Sequence, residues 1–95
     1  MEIQRRVNFV VDLSDDGGLQ PHEMHGRWWL FRDVVNPVSV VATASPIDGG
    51  YLSVKDVIVK VRIEPSYCYE VGVNVVNMGE EPVGRFTVMI DFLLP

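Results

Sequence analysis

The chain has 95 residues, of which 47% are hydrophobic and 22% charged, and its formal net charge at pH 7 is -5. This length suits a single domain with one core, spanning residues 1–95, and the composition excludes a disordered chain. Because the basic residues are scattered and outnumbered, we expect neither a nucleic acid nor an anionic membrane surface as a partner.

The opening stretch MEIQRRVNFVV has an acidic residue directly after Met1, which is not typical of a signal peptide. No apolar run approaches the roughly 20 residues that span a bilayer. The single cysteine, Cys68, excludes an internal disulfide, and its apolar neighbours predict a small buried residue. We therefore expect a cytoplasmic protein, or a component of a phage or mobile element.

The first strand is predicted over Ile3 to Leu13, where apolar and polar residues alternate. The segment SDDGG at 14–18 ends this strand with residues that suit turns. Residues 19–26 are polar, contain Pro21 and are too few for a stable helix, so at most one helical turn is expected there.

His22, Glu23 and His25 in this segment raise the hypothesis of a metal site, since zinc favours imidazole and carboxylate ligands. The two histidines are three residues apart, whereas the helical metalloprotease motif spaces them by four, and the chain has no third histidine. We therefore predict a loop that leads into a strand, with no metal and no cofactor. The acidic pairs at 15–16 and 80–81 lack the spacing of a calcium loop and are predicted to be solvated turns.

The aromatic segment RWWLFRDVV at 27–35 is predicted to form the second strand, which Asn36-Pro37 interrupts. Neighbouring residues of a strand face opposite sides, so Trp28 and Trp29 are predicted to point in opposite directions. An exposed tryptophan can stack on a sugar ring or anchor a protein interface. The segment VSVVATA at 38–44 continues or begins a strand, and SPIDGG at 45–50 forms the next turn.

Three further strands follow from the same alternation, over 55–64, 67–75 and 86–92, and NMGEEPVG at 77–84 is predicted as a hairpin-like connection. The predicted inward rows are Val57, Val59, Val61 and Ile63, then Tyr67, Tyr69, Val71, Val73 and Val75, and finally Phe86, Val88, Ile90 and Phe92. Short strands separated by turn residues predict an all-β fold, namely a single antiparallel β-sandwich of the immunoglobulin or fibronectin III-like kind with about six to seven strands. A small barrel is the alternative.

Residues 52–92 contain a valine alternation at 71–75, the turn Asn77-Met78-Gly79, the pair Val83-Gly84 and the segment Phe86-Thr87-Val88. This order resembles the opening strands of CARDB-type adhesion-related sandwich domains, which are relatives of the fibronectin type III architecture. The resemblance implies a structural or adhesive role and supplies no catalytic residues. The family continues with further strands, so the N-terminal strands, or another chain, are expected to complete the sandwich.

The alternation leaves Met89, with Leu93 nearby, on the face of the last strand opposite its inward row. A flat apolar terminal strand is prone to aggregate unless another strand or subunit covers it. We therefore predict a non-enzymatic binding or structural module that self-associates or docks on a larger assembly through the tryptophan strand and the C-terminal strand.

Two alternatives stay open at the level of sequence. A small-ligand or carbohydrate binder would use the exposed tryptophan, with Arg27, Arg32 and the 19–26 loop as polar contacts. A small metal-dependent enzyme would use His22, His25 and a distant carboxylate. The predicted binding residues are Trp28, Trp29, Arg27, Arg32, Met89 and Leu93.

Overall fold

The computed structural model describes residues 3–95; Met1 and Glu2, part of the stretch in which no signal peptide is predicted, lie outside the described residues. The described residues form six strands and one short 3-10 turn at 14–16. The strands are β1 (Ile3–Asp12), β2 (Met24–Phe31), β3 (Ser39–Pro46), β4 (Leu52–Arg62), β5 (Cys68–Asn77) and β6 (Arg85–Leu94).

Two three-stranded antiparallel sheets pack face to face. The first sheet has the order β1-β6-β3 and the second has the order β2-β5-β4. The predicted all-β sandwich is therefore confirmed, and the sheets do not close into the alternative barrel.

The central strands β5 and β6 supply most of the core. Their inward rows run as predicted, because side chains alternate across a strand and the apolar residues recur with a period of two. The buried members are Tyr69, Val71, Val73 and Val75 on β5, and Phe86, Val88, Ile90 and Phe92 on β6.

One prediction about the end of the chain is wrong. The connection at 77–84 is not a hairpin, because β5 and β6 belong to different sheets and do not pair with each other. Of the two kinds of cover expected for the C-terminal strand, another strand or a subunit, the structure shows the first: β1 pairs with one side of β6 and β3 with the other.

A β-bulge divides β4 into two parts. Leu52 and Val54 pack against the core, and the pairing with β5 then shifts by one residue between Val54 and Asp56. The extra residue moves the inward positions from even to odd numbers, so that Val57 and Val59 share a face with the buried row of β5.

The odd-numbered row of β4 faces inward as predicted, but it is not buried. Val57, Val59 and Val61 are 38%, 43% and 51% exposed, and Ile63, the residue after the strand, is 70% exposed. The reason is the strand order: β3 is the edge of the first sheet, so within residues 3–95 no further strand of that sheet covers this part of β4.

Asn77 closes one end of the sandwich. Its side chain is fully buried, and its amide nitrogen donates hydrogen bonds to the carbonyl oxygens of Leu19 (2.9 Å) and Glu81 (2.8 Å). Its side-chain oxygen accepts a hydrogen bond from the backbone N–H of Gly79 at 2.9 Å, which forms an Asx-turn. One side chain therefore joins the 13–23 loop to the connection between β5 and β6.

The same end requires a glycine at position 18. Gly18 has a φ of +83°, and a Cβ atom there would lie 3.0 Å from the carbonyl oxygen of Val83. The close approach lets Leu19 and Val83 exchange two backbone hydrogen bonds, of 2.8 and 2.9 Å. A larger residue would strain the backbone and separate this pair.

We expect Asn77→Ala to lower the free energy of unfolding by about 2–4 kcal/mol, because the backbone groups of Glu81 and Gly79 lose their side-chain partner and the Leu19 carbonyl keeps only its bond from Val83. Asn74→Ala is the matched control, since Asn74 lies on the same strand and makes one hydrogen bond, to Asp56. It should cost less than about 1 kcal/mol. Urea unfolding measures both, and equal losses would contradict the role of Asn77.

Candidate functional site

The most exposed apolar strand of the described chain is the second half of β4. We call Val57, Ile58, Val59, Val61 and Ile63 the open edge. All five are exposed, and β4 is the last strand of its sheet, so one side of its backbone has no neighbouring strand within residues 3–95. Unpaired N–H and C=O groups beside an apolar row are a template for another strand.

Charged residues lie on the outer face of β4, on the opposite side from the valine row. The side-chain amide of Asn74 donates a hydrogen bond to Asp56 at 3.0 Å, and Arg62 lies 3.8 Å from Glu70. The buried Nε of Arg62 has no hydrogen-bond partner among the described residues. The outer row of β4 thus carries an acidic group near one end and basic groups near the other.

Trp28 lies flat on the outer face of the second sheet. Its β5 partner is Gly72, and a Cβ atom at Gly72 would lie 2.8–2.9 Å from three ring atoms of the indole. Only glycine leaves room for this contact. One face of the ring therefore covers the sheet, and the side chain remains 50% exposed.

The exposed indole borders a shallow depression of about 300 Å³ lined by Trp28, Leu30, Lys60 and Glu70. We call these four residues, with Gly72, the Trp28 platform. It combines an aromatic face and an aliphatic side chain with one ammonium and one carboxylate group. The platform adjoins the open edge, because Gly72 pairs with Ile58 on its other side.

Trp29 faces the opposite way, as predicted. It packs against the core and stacks on Phe9 of β1, with ring centroids 4.8 Å apart and an angle of 21° between the ring planes. This contact joins the two sheets along the side where β1 faces β2. Trp29 therefore stabilises the fold, and of the two tryptophans it is Trp28 that presents an aromatic face on the outer surface.

The other predicted binding residues do not join Trp28 in one surface. Arg27 is exposed in the row that contains Trp29, and Arg32 donates a hydrogen bond to Ser66 at 2.8 Å. Met89 and Leu93 are half-buried on the outer face of the first sheet, next to residues of β1 and β3. The predicted surface is therefore divided between opposite sides of the sandwich.

The two histidines do not form a metal centre. His22 is exposed in the loop with a φ of +64°, whereas His25 lies in β2 with its ring centroid 6.3 Å from that of Phe86. Burial lowers the pKa of His25; the positive charge of Arg27 lowers it further, and Glu23 acts in the opposite direction. Within residues 3–95, no group of three or more His, Cys, Asp or Glu side chains could hold a metal ion.

Two smaller predictions concern buried and loop residues. Cys68 is fully buried, as its apolar neighbours predicted. The loop ahead of β2 leads directly into the strand at Met24, as expected. None of the described residues belongs to a helix with the length and apolar character needed to cross a membrane.

The open edge is the feature that sequence reasoning missed. Its signal is present in the sequence: the apolar row of β4 has even numbers at 52 and 54 and, apart from Ile58, odd numbers from 57 onward. Such a change of phase within one strand indicates a bulge. The pattern does not show that the second half of β4 is exposed, because its burial depends on which strand lies at the edge of the opposite sheet.

No protein-family model, no curated protein and no solved structure matches this chain. The resemblance to CARDB-type domains stays a prediction. Any function must therefore be argued from the open edge and the Trp28 platform themselves.

We expect Gly72→Ala to displace the Trp28 indole from the sheet, because the new methyl group would overlap the ring. In a Trp29→Phe background, where Trp28 is the only tryptophan, the emission maximum should shift to the red. Stability should fall by about 1 kcal/mol.

The control is the same change in a Trp28→Leu background. There Gly72→Ala should be neutral or raise stability by up to about 1 kcal/mol, because glycine is unfavourable inside a strand. An equal loss of stability in both backgrounds would show that the indole does not require the glycine.

Proposed function

We propose that this protein is a non-enzymatic structural module that self-associates through the open edge of β4. The observation that carries the proposal is the exposed inward row of Val57, Val59 and Val61 on an edge strand. A strand added to this edge would satisfy the unpaired backbone groups and place its own side chains beside the valines, which reduces their contact with water.

The length and regularity of β4 support the proposal that it pairs with another strand. Edge strands are commonly kept apart by short length or by bulges throughout the strand. β4 has 11 residues, and its one register shift lies before the valine row, so Val57 to Arg62 pair regularly with β5. A regular, extended edge is what antiparallel addition of another strand requires.

The Trp28 platform supports the same interpretation. It adjoins the open edge on the outer face of the second sheet, and tryptophan is enriched among the residues that dominate protein interfaces. A partner that extends the sheet at β4 would come close to Ile58 and Lys60. The structural or adhesive role implied by the CARDB resemblance agrees with this proposal.

We expect the protein to form assemblies heavier than its 10.7 kDa chain, with mass that falls on dilution. Light scattering across a hundredfold dilution measures this. Val59→Lys should weaken association at least about tenfold, which corresponds to about 1.4 kcal/mol, because a charge enters the apolar row.

Val41→Lys is the matched control, since Val41 is an exposed valine on β3, the edge strand of the other sheet. It should leave the mass unchanged. A wild-type chain that stays monomeric at every concentration would overturn the proposed function.

A second candidate function is carbohydrate binding at the Trp28 platform. The observation that favours it is the flat, half-exposed indole beside Lys60 and Glu70. The apolar face of a sugar ring can stack on an indole, while ammonium and carboxylate groups bind its hydroxyls.

Affinity electrophoresis in gels that contain soluble polysaccharides tests this candidate. Binding at the platform predicts retardation that Trp28→Ala abolishes and that Tyr51→Ala preserves, since Tyr51 is an exposed aromatic residue elsewhere. Migration unaffected by every polysaccharide, or retardation that survives Trp28→Ala, would exclude the platform as a sugar site.

A further inference from the structure

We propose that the partner of the open edge is β4 of a second copy of this chain, paired antiparallel about a two-fold axis that passes beside Val59. This inference rests on the proposed self-association and specifies its symmetry and register. In this register the residue numbers of opposite positions add up to 118, so Val57 faces Val61 of the second copy.

The inner row is complementary to itself in this register. Val59 meets Val59 of the second copy, and Val57 meets Val61 twice, once on each side of the axis. Directly opposite side chains in an antiparallel pair have Cβ atoms about 4.5–5.5 Å apart, so three valine pairs form a continuous apolar contact. These valines are among the exposed residues of the open edge.

The outer row is complementary in charge. Asp56 lies opposite Arg62 of the second copy, and the two-fold axis repeats this pair. Ile58 lies opposite Lys60, whose aliphatic stem can cover it while the ammonium group stays in water. The arginine in this pair is the one whose buried Nε has no partner among the described residues.

Neighbouring registers are less favourable. If the axis moves to Lys60, this lysine faces itself, and like charges directly opposite destabilise a strand pair. If the axis moves to Ile58, Asp56 still faces a basic residue, Lys60, but Lys55 faces Val61 in the valine row. The register centred on Val59 opposes unlike charges and keeps all three valines paired with valines.

The two-fold symmetry favours a closed dimer over an open-ended stack of strands. A symmetric pair uses the same edge of both copies and leaves neither β4 edge free, so the assembly ends at a dimer.

Cysteine cross-linking tests the register, in a Cys68→Ala background that removes the buried native thiol. Val59→Cys should form a covalent dimer on mild oxidation, because this residue faces its own copy. Val57→Cys and Val61→Cys should each cross-link poorly alone but efficiently when the two variants are mixed.

Charge exchange tests the outer row. Asp56→Lys and Arg62→Glu should each weaken dimerisation at least about tenfold, because each places two pairs of like charges across the axis. An equimolar mixture should restore the wild-type dissociation constant, since both pairs in the mixed dimer are then of opposite sign. Circular dichroism and thermal midpoints confirm that each variant is folded.

The outcomes separate this inference from the proposed function. A wild-type dimer in which Val59→Cys fails to cross-link, or in which the charge variants fail to rescue each other, overturns the β4 register and leaves self-association standing. A wild-type chain that is monomeric throughout overturns both.

Discussion

The buried amide of Asn77 fixes the place where the chain passes from one sheet to the other. The two central strands are successive in sequence, yet they lie in opposite sheets, so their connection makes no ladder and needs other hydrogen bonds. Asn77 supplies them to Leu19, Glu81 and Gly79, and its backbone bonds to His22 and Glu23 as well. β5 ends and β6 begins at this connection. β5 pairs with β2 and β4, β6 pairs with β1 and β3, and the inward rows of these two central strands form most of the core.

The exposure of β4 follows from this arrangement. Each sheet has three strands, so the sandwich has one side where β1 faces β2 and the Phe9–Trp29 stack joins the sheets. On the other side the valines after the bulge face inward, but β3, the last strand of the first sheet, leaves them exposed. A chain that buried this row would need a fourth strand in the first sheet. In the proposed symmetric dimer, the valine row of one copy would lie beside the valine row of the other. This contact is the basis of the proposed structural role.

Much of the fold follows from the period of two. The alternation predicted the inward rows of β5 and β6 and the opposite orientations of Trp28 and Trp29, because these depend only on positions within one strand. Strand neighbours could not be predicted in this way. The bond from Asn77 to Leu19 spans 58 residues, and the pairing of β6 with both β1 and β3 is equally non-local. For the same reason the sequence predicts only part of the site. The alternation identifies Trp28. It also selects Met89 and Leu93, which lie on the far side of the sandwich, and it does not identify the open edge.

Hydrogen–deuterium exchange at a dilute and a concentrated condition tests the central claim most directly, because it reports on backbone groups strand by strand. We expect slow exchange in β5 and β6 at both concentrations. Within residues 57–62 of β4, the alternate amides that do not bond to β5 should exchange rapidly when dilute and become protected when concentrated. Protection of these outward amides that is independent of concentration, or exchange in β6 faster than at these amides, would contradict an open β4 edge that a second copy covers.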